Sequence, residues 1–157
     1  MNAIEEQAGH PAIAVGDAVP VLERTITLVD MIAYAGATWD FYKSHYDPAF
    51  VAEAKLPAPI VDGQVFGALL VEQLQDWLGA RSFVHQLAFT FKNLVFAGET
   101  VRCEGTVTAV SDGEVSVDLQ VVVCDPQGAV DRVAVSGGRA VVLLGQADGP
   151  GAAGVPR

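Results

Sequence analysis

Between Asp62 and Gly79 the chain carries Phe66, Leu69, Leu70, Leu74, Trp77 and Leu78 at steps of three, one, four, three and one. That spacing is the apolar face of an α-helix. Asp62 is a good N-cap and Gly79 a good stop, so a helix is expected over residues 63–78. Its first half, Val65-Phe66-Gly67-Ala68-Leu69-Leu70-Val71, is apolar on every side, which predicts burial all round. About 16 residues in a helix span roughly 24 Å, enough to cross a small domain. Everything else is expected to wrap around it.

Downstream, the period changes from helical to two. Leu87, Phe89 and Phe91 alternate with other residues, as do Val101, Cys103, Gly105, Val107 and Ala109, and then Val115, Val117, Leu119, Val121 and Val123. Asp112-Gly113 is a strong hairpin signal between two of these runs, and Pro126-Gln127-Gly128 is a turn. Residues 133–144 form a last long strand with Gly137-Gly138 as its bulge. Upstream, residues 19–28 favour a strand, 29–37 a brief helix, and 48–54 one or two helical turns with Pro48 in a permissive first position. Pro57 and Pro59 then hold the chain extended before Asp62. A buried helix followed by four antiparallel strands, with one strand in front, is an α+β layer: a sheet curled around a helix. Residues 121–123 and 140–144 are apolar on both faces, so their outer face is expected to meet a second subunit.

The 157 residues make one domain by length. The expected division is a flexible N-terminal segment over 1–18, the domain over 19–144 and a disordered, Gly/Pro-rich tail over 145–157. A net charge of -10 repels nucleic acid and anionic membranes, so neither is an expected partner. The longest apolar run, 65–71, falls far short of the roughly 20 residues needed to span a bilayer. Glu5 and Glu6 replace the basic start of a signal peptide, which points to the cytoplasm. Cys103 and Cys124 are the only cysteines and sit inside apolar runs, as buried thiols in a reducing compartment would.

The stretch Trp39-Asp40-Phe41-Tyr42-Lys43-Ser44-His45-Tyr46-Asp47-Pro48 places two proton-handling groups, Asp40 and His45, five residues apart. In a strand they would point to opposite faces, and on a helix they would diverge by about 140°. They converge only in an irregular loop, where reactive groups are commonly carried. Asp47 before Pro48 reads as a turn cap. His85 in a strand and His10 near the N-terminus read as structural or solvated. Ser44 lies in no nucleophile elbow. The sequence contains no phosphate-cradling glycine loop and no clustered metal ligands, so neither a cofactor nor a metal is expected.

The order strand, short helix, Asp-x4-His loop, helix opened by glycine and four antiparallel strands resembles the hot-dog fold of MaoC-like (R)-specific enoyl-thioester hydratases and dehydratases, over about residues 20–144. Asp40-x4-His45-x-Asp47 matches that family's Asp-x-Asn-Pro-x-His spacing, and Val61-Asp62-Gly63 its hydrophobic-His-Gly helix start. Ala37-Thr38-Trp39-Asp40-Phe41, Asp76-Trp77-Leu78-Gly79, Phe96-Ala97-Gly98-Glu99-Thr100-Val101 and Gly105-Thr106-Val107-Thr108-Ala109-Val110 resemble the small hydratase subunits used on steroid side-chain CoA thioesters, which pair with a second hot-dog chain. Four positions depart from the pattern: Tyr42-Lys43 stand for Asn-Pro, Asp62 for the histidine, and Val71 for a serine.

The resemblance implies hydration of a 2-enoyl thioester. Asp40 would take a proton from a water held between it and His45, with His45 orienting that water and helping to deliver the proton. Trp39, Phe41 and Tyr42 would dry the setting of Asp40. The N–H of Gly63 would meet the thioester oxygen, with Asp62 and Gln64 beside it as substrate-binding residues. Acyl-CoA is favoured over an acyl carrier protein. Lys43, Lys55, Arg81 or Lys92 would meet the CoA phosphates, and a homodimer or a heteromer is implied. Two other readings suit the same residues: an acyl-CoA thioesterase, and a non-catalytic subunit of a heteromeric hydratase.

Overall fold

The computed structural model describes residues 3–4, 11–111 and 113–145. Along the chain the elements are β1 (Ala3–Ile4), β2 (Ile13–Ala14), β3 (Ala18–Thr25), α1 (Leu28–Thr38), a 3-10 turn (Lys43–His45), α2 (Pro48–Glu53), α3 (Gln64–Leu78), β4 (Ser82–Phe91), β5 (Thr100–Ser111), β6 (Glu114–Cys124) and β7 (Val130–Leu144). Five strands form one antiparallel sheet in the order β3-β5-β6-β7-β4, and β1 with β2 makes a separate two-stranded ribbon. The β5–β6 hairpin closes at Ser111 opposite Glu114, with Gly113 at φ 74 as a tight turn demands. Its other turn residue, Asp112, lies outside the described residues.

The sheet wraps α3 as the apolar spacing predicts. Leu70, Leu74 and Leu78 are 0% exposed and belong to one core with Val101, Val115, Val121 and Val142 of the strands. The Gly79 N–H closes the helix on Gln75 O at 2.8 Å. Met31 and Ala35 bury the inner side of α1, which Thr27 opens with a capping box to Asp30.

Four expectations change. The helix begins at Gln64 rather than Gly63, and it is not buried all round: Ala68 is exposed, and Val65, Gly67 and Val71 are half-buried. The sheet covers one side only, and the small residues Gly67 and Ala68 leave little apolar area on the other. Val122, expected on an outer face, is 2% exposed. Register shifts on both sides of it break the two-residue alternation. Structure also begins earlier than Val19, because Ile13 is 1% exposed and part of the core. Gln73 on the same helix is polar yet buried. Its Nε2 donates to Pro20 O and Cys103 O at 2.9 Å each, tying α3 to β3 and β5. Its Oε1 has no partner among the described residues. Residues 146–157, including most of the expected tail, lie outside the described residues.

Neither thiol is in a disulfide, and both are buried. Burial pushes Cys103 up to about 12, with the charge of Glu72 adding to it, and burial also raises Cys124. A thiolate is the reactive form. In the native protein at pH 8, both cysteines are therefore expected to resist a disulfide reagent for hours and to react within minutes in guanidinium. Rapid native labelling of Cys103 would contradict its place in the core. No helix among the described residues is long and apolar enough to cross a membrane.

Candidate active site

The site is built where α1 stops. Trp39 caps α1 in the left-handed region at φ 61, and this reversal turns the chain into the loop that begins with Asp40. The Tyr42 N–H donates to Asp40 Oδ1 at 3.2 Å, a side-chain turn that fixes the carboxylate. One 3-10 turn then carries His45, and Ser44 within it is buried. Asp47 accepts from the N–H groups of Ala49 and Phe50 at 2.9 and 3.3 Å and so caps α2, with Pro48 at its start.

The proline segment runs back past this turn and is bonded to it through one residue. The Ile60 N–H donates to Ser44 O at 2.9 Å, and Ile60 O receives His45 Nδ1 at 2.7 Å. A carbonyl only accepts, so Nδ1 carries the hydrogen and Nε2 is the free ring nitrogen. On the other side, the Val61 N–H donates to Val95 O at 2.8 Å and the Ala97 N–H to Pro59 O at 2.8 Å. Asp62 is thereby brought to the Asp40–His45 loop. Ligand atoms of Asp40, His45 and Asp62 all lie within 4.8 Å of one another, and all three residues are half-buried.

Asp62 does not cap α3 in the expected way, since Gly63 is the residue at the cap. It instead receives the Gln64 N–H on Oδ1 at 2.9 Å. The Gly63 N–H has no acceptor among the described residues. It opens the positive end of a 15-residue helix. Gly63 also has a packing reason to be glycine: a Cβ there would stand 2.7 Å from Phe91 Cζ. Gln64 is exposed, and with its N–H bound to Asp62 it offers the site its side chain alone.

Asp40, His45, Asp62 and Gly63 are thus assembled from two irregular segments. The aromatic residues around Asp40 do not dry it as expected: Trp39 is 82% exposed, and Phe41 and Tyr42 are exposed as well. They pack edge to face instead, Trp39 on Phe41 at 5.3 Å and Tyr42 on His45 at 5.9 Å. Tyr34, on the inner side of α1, escaped the sequence reading. Burial pushes its phenol up, and the nearby Asp62 charge raises it further. Its place next to Met31 and Ala35 on the helical period is the signal that could have found it. Two carboxylates and an imidazole could be offered to a divalent ion as well as to a water molecule. Lys43, Lys55, Arg81 and Lys92 are all exposed.

A five-stranded antiparallel sheet wrapped on one long helix defines a hot-dog chain, with Asp40, His45 and Asp62 gathered just before the first turn of that helix. Residues 13–125 match the family described as the MaoC like domain. The chain belongs to the MaoC-like family. It is 32% identical over 124 residues to the (R)-specific enoyl-CoA hydratase of Aeromonas caviae, covering 78% of this chain and 90% of that protein. The solved (R)-hydratase from A. caviae involved in PHA biosynthesis is similar with a TM-score of 0.74 at 30% identity, over 84% of this chain and 97% of that one. A chain of the ChsH1-ChsH2 complex from Mycobacterium tuberculosis is similar with a TM-score of 0.69 at 25% identity, over 85% and 98%.

Proposed function

We propose that the protein adds water across the α,β double bond of a 2-enoyl thioester, with acyl-CoA as substrate, and catalyses the reverse dehydration. The observation that carries this reading is the meeting of Asp40, His45 and Asp62, whose ligand atoms lie within 4.8 Å of one another, with the free N–H of Gly63 next in the chain to Asp62. Asp40 takes a proton from the reacting water, and His45 orients the water and helps to move the proton to the α-carbon. The thioester oxygen, which gathers negative charge as the enolate forms, is received by the Gly63 N–H at the positive end of α3. Asp62 and the Gln64 side chain flank the bound thioester. The (R)-specific hydratase from A. caviae, 32% identical over 124 residues, supports the same reaction type.

A second hot-dog chain, identical or different, is the proposed partner. Phe83 and Phe91 support this, being 61% and 56% exposed on β4, which stands at the edge of the sheet with one side unpaired. The cytoplasm is the proposed compartment, supported by the two unpaired thiols.

Turnover of a panel of 2-enoyl-CoA esters, from short linear to bulky ring-bearing chains, tests the reading. The conjugated thioester absorbance is expected to fall with no release of free thiol. Release of thiol at a matching rate would make the protein a thioesterase instead. If the chain is active only with a second hot-dog chain, Asp40→Asn must still lower the pair's rate by at least about 10²-fold, and a pair carrying that substitution at the wild-type rate would reduce this chain to a supporting subunit.

A further inference from the structure

We infer that Asp62 is a second catalytic carboxylate, gripping the reacting water together with Asp40 and His45; the inference rests on the hydratase reading above. Three atoms no more than 4.8 Å from one another always leave a point within roughly 2.8 Å of each, an ordinary hydrogen-bond length. One water therefore reaches all three groups at once. Asp62 is also held for the task, because its backbone is laced through Ile60 and Val61 and its Oδ1 through the Gln64 N–H.

Counting hydrogens fixes how they run. His45 Nδ1 donates to Ile60 O, so only Nε2 is left for the water. Two carboxylates and a neutral Nε2 would present three acceptors to a molecule with two hydrogens, setting one lone pair against another. The count closes when His45 carries a hydrogen on both nitrogens. The water then donates to Asp40 and to Asp62, accepts from Nε2–H, and keeps one lone pair for the substrate. That lone pair forms the bond to the β-carbon, and the π pair of the double bond moves into the thioester as its enolate. One water hydrogen passes to a carboxylate, and the Nε2 proton passes to the α-carbon. The protonated carboxyl then returns its proton to Nε2, restoring the starting state.

Three variants test this: Asp62→Asn, Asp40→Asn and the double variant, assayed on the best ester of the panel. Asparagine keeps an oxygen for the Gln64 N–H, so an unchanged melting temperature is expected. Asp62→Asn is expected to lower kcat about 10-fold or more with KM within about twofold, and the double variant to fall a further 10-fold below Asp40→Asn, whose remaining rate runs through Asp62. A purely structural Asp62 would move the melting temperature or KM rather than kcat. The inference is overturned if Asp62→Asn matches the wild type while the double variant matches Asp40→Asn. It is equally overturned if dialysis against a chelator abolishes wild-type turnover and added Mg²⁺ or Zn²⁺ restores it, for then the three groups hold a cation. A wild type inert on every ester, with or without its partner chain, overturns both this and the hydratase reading.

Discussion

Asp40→Asn is expected to lower hydration of 2-enoyl-CoA by at least about 10²-fold, and His45→Ala by a similar factor, within the range that a positioned acid or base contributes. The asparagine is nearly isosteric and still accepts the Tyr42 N–H, so the turn that aims residue 40 survives. What disappears is an oxygen basic enough to take a proton from water. His45→Ala also removes the bond to Ile60 O, so its melting temperature should fall by a few degrees while Asp40→Asn stays near the wild type. Because each group acts on the water in the transition state, kcat should carry the loss and KM should move little. Wild-type rates in either folded variant would refute the assignment.

Gly138→Ala is expected to destabilise the protein by about 3 kcal/mol, the upper end of the overpacking range. Its Cβ would stand 2.5 Å from Leu119 O and 2.9 Å from Leu119 Cβ. Leu119 is its direct partner across β6 and β7, so the obstacle is sheet backbone rather than a movable side-chain tip. For a domain of this size the melting temperature should drop by roughly 6–12 °C. Its neighbour behaves differently. A Cβ at Gly137 meets nothing within 4 Å, but φ 60 places it in the left-handed region, so Gly137→Ala should cost only about 1–2 kcal/mol. Equal effects from the two substitutions, read in parallel thermal melts, would contradict this division between contact and torsion.

The Gly137-Gly138 pair shows what the sequence could and could not reveal. Two adjacent glycines in a strand run announce a bulge, and the register slips there between Leu119 and Val121. Which glycine is pressed by its neighbour and which is merely twisted depends on the partner strand. The strands themselves were legible because alternation such as Val115, Val117, Leu119 is a local property, and the capping of α2 by Asp47 was legible because its bonds span three residues or fewer. Burial of Gln73 was not, since the carbonyls that hold it belong to residues 20 and 103. Asp40, His45 and Gly63 could be nominated from spacing and resemblance. The approach of Asp62 to the first two could not, because it arises from contacts between segments 15 residues apart that follow neither helical nor strand periodicity.

Those contacts use only the amide hydrogen and carbonyl of position 60. Any amino acid except proline can supply both. The placement of the reacting groups is therefore indifferent to which side chain stands at this crossing. The side chain at position 60 can change in a lineage without disturbing the proton chemistry, and proline alone would cut one of the two stitches.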